Sequence, residues 1–271
     1  MRIVVLAAAL AGLAPSTAGA DVSARSPLSM PGTRIERSVG LELMVGTMSS
    51  TPSDLTLIGL ELDVEYPLSE RLGFRALLPL AHERSDASSG TSLGNLTVGL
   101  DHPISSPADG RVGWSIGGDL SVPTASDEGN SAIAAIDHSI LRIPYPGRYA
   151  PDTSALRFYG NARIERETVF AQVQLAGHYL LVEDADDLTL IKLALGGGAM
   201  VNDRTAVLGE LTTVSDIVDD SEGENFIHLL ELGLRHRADR FAIGGRIHLP
   251  LDDTFRSRQI IGFAVEVEAT Y

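Results

Sequence analysis

The sequence predicts an all-β fold: a transmembrane, antiparallel, up-and-down β-barrel of 12 strands with both termini on the periplasmic side. Three observations carry this. Apolar and polar residues alternate with a period of two through most of the 271 residues, the spacing that separates the two faces of a strand. An export signal opens the chain. The connections between predicted strands alternate between tight charged turns and longer, more acidic, Ser/Gly-rich loops, as in barrels that cross a bilayer.

At the N-terminus, Arg2 precedes the apolar run Ile3 to Leu13, which is too short to span a membrane, and Ala18-Gly19-Ala20 forms a small-residue cleavage site. Residues 1–20 are predicted to be a cleaved signal peptide. Residues 21–36, with Pro27, Pro31 and Gly32, are predicted to be a periplasmic lead-in without regular structure, and 37–271 the barrel.

The strands follow in order. Ser38–Met48 sets Glu42 against Leu41, Leu43 and Val45, and Leu55–Leu68 sets Glu61, Asp63 and Glu65 against Leu60, Leu62, Val64 and Tyr66. Leu72–Ala81 carries Arg75 on its polar face; Leu93–His102 carries Asn95, Thr97 and Asp101; Arg111–Val122 carries Ser115 and Asp119. Ala155–Arg163 alternates Arg157, Tyr159, Asn161 and Arg163 with Leu156, Phe158 and Ala162, and Val169–Tyr179 places Gln172, Gln174 and His178 on one face. Leu188–Val201 holds Lys192, Thr205–Asp216 holds Glu210, Asn225–Arg237 holds Glu231 and Arg235, and Arg240–Leu251 holds Arg246 and His248. The last strand, Ile261–Tyr271, alternates Phe263, Val265, Val267 and Tyr271 with Glu266 and Glu268. In a membrane barrel the apolar set faces outward and the polar set inward.

That final strand, ending on an aromatic residue after an export signal, resembles the C-terminal assembly signal of bacterial outer-membrane β-barrels, with Phe263, Val265, Val267 and Tyr271 as its residues. The resemblance implies location in the cell outer membrane, contact with its lipid and lipopolysaccharide, and handling by the barrel-assembly machinery. Ser92-Leu93-Gly94-Asn95-Leu96-Thr97-Val98-Gly99-Leu100, with Ser121-Val122-Pro123-Thr124, resembles the strand motif of a family of outer-membrane transporters associated with phenol and aromatic-compound degradation. It implies import of small apolar or aromatic compounds.

Composition narrows the function. The net charge of −15 supplies no basic patch for nucleic acid. The absence of cysteine excludes disulfides, thiolate metal sites and a lipid-modified cysteine. The acidic segments 183–187 and 219–224 lack EF-hand ligand spacing, so no metal or other cofactor is expected. Asp137-His138-Ser139 has the residue types of a hydrolase, but three successive side chains point apart and form no relay, so the chain is read as a non-enzyme.

The expected function is therefore an outer-membrane channel or porter for small molecules; the alternatives are a closed structural or surface-interaction barrel and, remotely, a lipid hydrolase. Its expected lining is Glu42, Glu61, Asp63, Glu65, Arg75, Asp101, Asp119, Arg157, Arg163, Lys192, Glu210, Glu231, Arg235, Arg246, Glu266 and Glu268. Closure of the last strand on the first two predicts an acidic wall of Glu42, Glu61, Asp63, Glu65, Glu266 and Glu268, a feature that favours cations. Interior glycines (Gly113, Gly117, Gly196, Gly198, Gly244) point to free space, although glycine also relieves crowding where strands bend. The longest connection, 127–150, carries a short apolar helix at Ile133–Ile136 and Ile140-Leu141, ended by Pro144 and Pro146, that folds inward as a constriction, caps the rim or packs against neighbouring loops.

Overall fold

The computed structural model describes Leu28, Met30, Ile35 and residues 37–49, 54–86, 89–106, 112–125, 128–142, 144–183, 186–216, 226–253 and 260–271. The predicted signal peptide and the acidic segment 219–224 lie outside the described residues.

The strands are β1 (Ser38–Met48), β2 (Leu55–Ser69), β3 (Leu72–Arg84), β4 (Ser89–Leu93), β5 (Leu96–Ser105), β6 (Val112–Val122), β7 (Thr153–Arg166), β8 (Val169–Val182), β9 (Leu188–Asn202), β10 (Thr205–Asp216), β11 (Phe226–Ala238), β12 (Phe241–Pro250) and β13 (Ile261–Thr270). One helix, α1 (Gly129–Leu141), and a 3-10 turn at Pro146–Arg148 lie between β6 and β7. β1 pairs antiparallel with both β2 and β13, which closes the sheet on itself. Closure leaves no edge with unpaired backbone groups, the condition a sheet must meet in hydrocarbon.

β3 pairs with β5 along Gly73–Leu77 and with β4 along Leu80–Arg84. β4 and β5 are therefore two halves of one stave, broken at Gly94-Asn95, and the barrel has 12 staves. The expected strand at Leu93–His102 is thus extended upward by a segment, Ser89–Leu93, that its small polar residues concealed. β3, β7 and β8 also run past their expected ends, because their cross-strand pairing continues there.

The faces are sorted as in a membrane barrel. In β7, Phe158 is 63% exposed, while its neighbours Arg157 and Tyr159 are 4% and 5% exposed. The same division runs around the wall, with Leu175, Leu195, Leu234, Ile243 and Phe263 exposed outside and Gln174, Lys192, Glu231, Arg235 and Arg246 buried inside. Tyr66, Trp114 and Phe241 are exposed towards the end of the barrel that holds the short turns.

Four two-residue turns (Glu70-Arg71, Glu167-Thr168, Asp203-Arg204 and Asp239-Arg240) lie at one end, here the turn end. Asp239 adopts φ 54°, a left-handed conformation that Asp tolerates better than most residues. β1 starts and β13 finishes at this end, with Ser38 opposite Thr270. β2 and β9 have 15 residues each, more than the ~9–11 that a tilted strand needs to cross a bilayer, so the wall extends beyond the apolar band.

Candidate functional site

The loop between β6 and β7 folds into the barrel. α1 packs on β4, β3 and β2, burying Ala134, Ala135 and His138 completely. Ile133 and Ile136, expected to be its covered face, are 47% and 52% exposed. Small residues are what the close approach selects: a Cβ on Gly90 of β4 would overlap the Asn130 carbonyl of α1. His138 lies over Gly59, on the inner face of β2, against the Tyr149 ring at 5.3 Å.

Beyond α1 the loop places Arg142, Tyr145, Arg148 and Tyr149 against inward-facing side chains on both walls. On one wall, Arg142 pairs with Glu42 of β1 and, at 3.1 Å, with Glu61 of β2. Arg148 Nη1 reaches Glu61 Oε2 at 3.0 Å, and the Tyr149 hydroxyl donates to Glu61 Oε1 at 3.0 Å. On the other, Tyr145 meets Arg157 of β7 and Lys192 of β9. Burial opposes the charge of Arg142, but Glu42 and Glu61 more than offset it, so its pKa is raised. Burial, with Arg142 nearby, holds the His138 imidazole down at about 4. Burial and Glu61 push the Tyr149 phenol well up.

Asn95, at the break between β4 and β5, anchors this loop. Its side chain is fully buried; Nδ2 donates to the carbonyls of Gly147 (2.8 Å), Ala150 (2.7 Å) and Thr153 (3.1 Å), and Oδ1 accepts from the Thr124 and Ala125 amides, both at 2.9 Å. The backbone repeats the link, Asn95 N–H donating to Arg148 O at 2.7 Å.

The six carboxylates expected as an acidic wall do share one side of the barrel, but arginines match most of them. Glu42 is shared by Arg142 and Arg246; Glu61 by Arg142 and Arg148; Arg235 bridges Glu266, at 2.8 Å, and Glu268. Arg246 also lies 3.4 Å from Glu231, which takes His248 Nδ1 at 2.8 Å. Only Asp63 and Glu65, half-buried, have no cation within ion-pair distance among the described residues. The opposing arginines Arg142 and Arg148 come from the loop, so strand periodicity held no trace of them.

Across the lumen, Arg75 lies 3.2 Å from Asp119 and donates to the Tyr159 hydroxyl at 3.2 Å. Arg157 Nη2 holds the other Asp119 oxygen at 3.0 Å, and the Tyr159 hydroxyl donates to Asp101. Arg163 pairs with Glu165 at 2.7 Å, and Glu210 is buried, accepting from Thr212 at 3.4 Å.

The inner glycines mark occupied rather than free space. A Cβ on Gly117 would strike the Tyr159 ring, one on Gly244 would come within 2.5 Å of the Glu266 carboxylate, and one on Gly198 within 2.7 Å of Leu208. Within the expected lead-in, Leu28 and Met30 are buried inside the turn end, Leu28 in a cluster with Phe170, Ala206 and Leu208, and Met30 against Gly196. Arg246 donates to the Leu28 carbonyl.

Of the residues proposed for assembly, Phe263, Val265 and Val267 are exposed on the outer face, and Tyr271 donates its N–H to Arg37 O at 3.2 Å.

No protein-family model matches the chain, and no curated protein matches it in sequence. Among solved structures it is similar to the NanC porin, with a TM-score of 0.53 and 9% identity over 85% of this chain and 100% of that one. It is also similar to the KdgM porin in complex with disordered oligogalacturonate, with a TM-score of 0.53 and 7% identity over 86% of this chain and 99% of that one. At these identities the likeness shows the fold: a closed 12-stave antiparallel barrel of the outer-membrane kind.

Proposed function

We propose that this chain is an outer-membrane channel for small molecules, constricted by its own inward loop, and not an enzyme. The observation that carries the reading is the span of the loop. Arg142 and Arg148 are held by Glu42 and Glu61 on β1 and β2, while Tyr145 meets Arg157 and Lys192 on β7 and β9, so one loop draws a charged ring across the lumen. Twelve staves lie between the ~8 whose interior side chains fill and the ~16 that leave an aqueous pore, and the loop takes up the difference. The resemblance of Ser92 to Leu100 to outer-membrane transporters associated with aromatic-compound degradation adds the permeant class, small apolar or aromatic compounds.

In this reading the turn end faces the periplasm and the loops face outward. Cleavage after Ala20 leaves Asp21 as the mature N-terminus, and the Phe263, Val265, Val267 and Tyr271 face serves the barrel-assembly machinery, with lipid and lipopolysaccharide around the wall. N-terminal sequencing of membrane-extracted protein tests the export part; an intact Met1 overturns it.

A closed structural barrel is the second reading, favoured by Leu28 and Met30 inside the turn end. Planar-bilayer recording separates the two. Reproducible conductance steps from folded protein support the channel; a folded barrel without steps supports the closed form.

A further inference from the structure

Inside the turn end, the inner face of the wall changes character. On β8 and β10 the inward residues nearest the turns are Phe170, Ala206 and Leu208, all buried, with Met200 of β9 packed against them. Two residues further along the same strands the inner face is polar again, at Gln172 and Glu210. An apolar collar facing a water-filled lumen is unfavourable, so it calls for an apolar cover. Leu28, from the chain ahead of β1, joins the cluster and supplies that cover.

Three inward glycines receive the same stretch of chain. A Cβ on Gly233 of β11 would come within 2.9 Å of Leu28, one on Gly196 of β9 within 2.5 Å of the Met30 methyl, and one on Gly73 of β3 within 2.9 Å of Ile35. Glycine inside a strand weakens it and marks a place where another group approaches closely. β3 and β9 stand nearly opposite each other in the ring of 12 staves, so Ile35 and Met30 lie against facing walls. Arg246 of β12 adds one polar hold, donating to the Leu28 carbonyl. All three residues precede β1 and none belongs to a strand, so they can leave without breaking the ladder that closes the barrel.

We propose that the chain ahead of β1 is a displaceable plug. Leu28, Met30 and Ile35 seat in the apolar collar and the glycine recesses and close the turn end of the lumen; their release opens it. The collar is thus a docking site whose occupant is the protein's own N-terminal segment. This closure is separate from the loop constriction, which is held by β1, β2, β7 and β9 through other side chains. Its consequence for flow rests on the channel reading, whereas docking does not.

The chain has no cysteine, so introduced thiols report on single positions. In the refolded full chain, Met30→Cys should react with a bulky maleimide far more slowly than the same variant unfolded in urea. Adding Leu28→Asp should speed that reaction at least about tenfold, because a charge replaces a buried apolar side chain in the collar; Leu28→Ser repeats the test if Leu28→Asp fails to fold. Met30→Cys with Gly196→Cys supplies a lock. The Met30 methyl is the closest neighbour of a Cβ there, with Glu210 and Gly209 at 3.5 Å, so the pair accepts a short bis-methanethiosulfonate bridge. In planar bilayers the bridge should hold the channel closed until dithiothreitol cuts it, and Leu28→Asp should raise the fraction of time spent open. Labelling of Met30→Cys as fast in the folded as in the unfolded chain, or protection that neither Leu28 variant changes, overturns the plug. So does conductance that the bridge leaves intact, with the channel reading then untouched. Protection that Leu28→Asp removes, with no conductance from any variant, sinks the channel reading and leaves the docked segment standing.

Discussion

The Asn95 side-chain amide donates to the carbonyl oxygen of Gly147 at 2.8 Å, fastening the break in one barrel stave to the 3-10 turn of the inward loop. The stave must break for this to happen. The Gly94 N–H still donates across to Pro79 O of β3 at 2.8 Å, but a continuous strand would commit the Asn95 backbone to cross-strand pairing as well, whereas here Asn95 N–H and its side chain are spent on the loop.

Asn95→Ala should therefore release the constriction. Removing the amide strands three carbonyls and two N–H groups, and each buried polar group left without a partner costs about 1–3 kcal/mol where water does not replace it. The expected outcome is larger, noisier unitary conductance and faster proteolysis within 128–150, with the barrel still folded. Conductance identical to wild type would mean that the loop does not limit the pathway.

Gly94→Ala probes the same contact from the other side. An added methyl would lie 2.6 Å from Pro79 Cγ and 2.7 Å from Arg148 O, so the loop turn or β3 must move. Overpacking of this kind costs about 1–3 kcal/mol. A drop in the urea midpoint for refolded protein, without change in strand content by circular dichroism, is the expected result.

The staves were legible because each strand has one apolar and one polar face, and period two reads directly as an inside and an outside. Val267 and Glu266 follow from that alone. The loop was not, because what places Arg142, Tyr145, Arg148 and Tyr149 is a set of partners up to 100 residues away, as with Arg142 and Glu42. A local signal did exist: two arginines and two tyrosines crowd residues 142–149 of a strongly acidic chain. The glycines left two readings open, free space or relief of crowding, for a related reason. Sequence shows that Gly117 lacks a side chain but not that the Tyr159 ring fills the space.

Adjacent residues of β13 should respond oppositely to substitution. Val267 is 42% exposed on the outer face, so Val267→Arg places a charge in hydrocarbon and should cost about 2–4 kcal/mol near the midplane, less towards the interface. Glu266→Gln weakens one of the two pairs of Arg235 and leaves Glu268 in place, so insertion should be little affected. Refolding titrations into lipid vesicles measure both; equal tolerance contradicts the assigned faces.

The acidic wall should act through its unmatched members. Asp63→Asn with Glu65→Gln removes two carboxylates that have no ion-pair partner among the described residues and should shift the reversal potential in a salt gradient towards anions. Glu61→Gln is different, because Glu61 holds Arg142, Arg148 and Tyr149. Its main effect should be on loop docking, seen as altered unitary conductance. A selectivity shift from Glu61→Gln as large as that from the double variant would refute the distinction.

Acidification should loosen the loop through His138. Its imidazole sits at about 4 when docked, because burial and then Arg142 disfavour the charged form, against about 6.5 for a solvated histidine. A group whose pKa is depressed on docking favours docking fully above its free pKa and loses that contribution as pH falls towards the docked value. The window is therefore about pH 6.5 down to about 4, and at pH 4.5 the penalty reaches about 2–3 kcal/mol. The Tyr149 ring lies against the imidazole, and Arg142, Glu61 of β2 and His82 of β3 are the charged or titratable groups that act on it. Glu61 favours protonation, whereas Arg142 and His82 oppose it. Conductance of the wild type should rise between pH 7 and 4.5, and His138→Gln, which carries no proton to gain, should flatten that rise. A wild-type profile that is level across this window, or one that persists unchanged in His138→Gln, would place the pH response elsewhere.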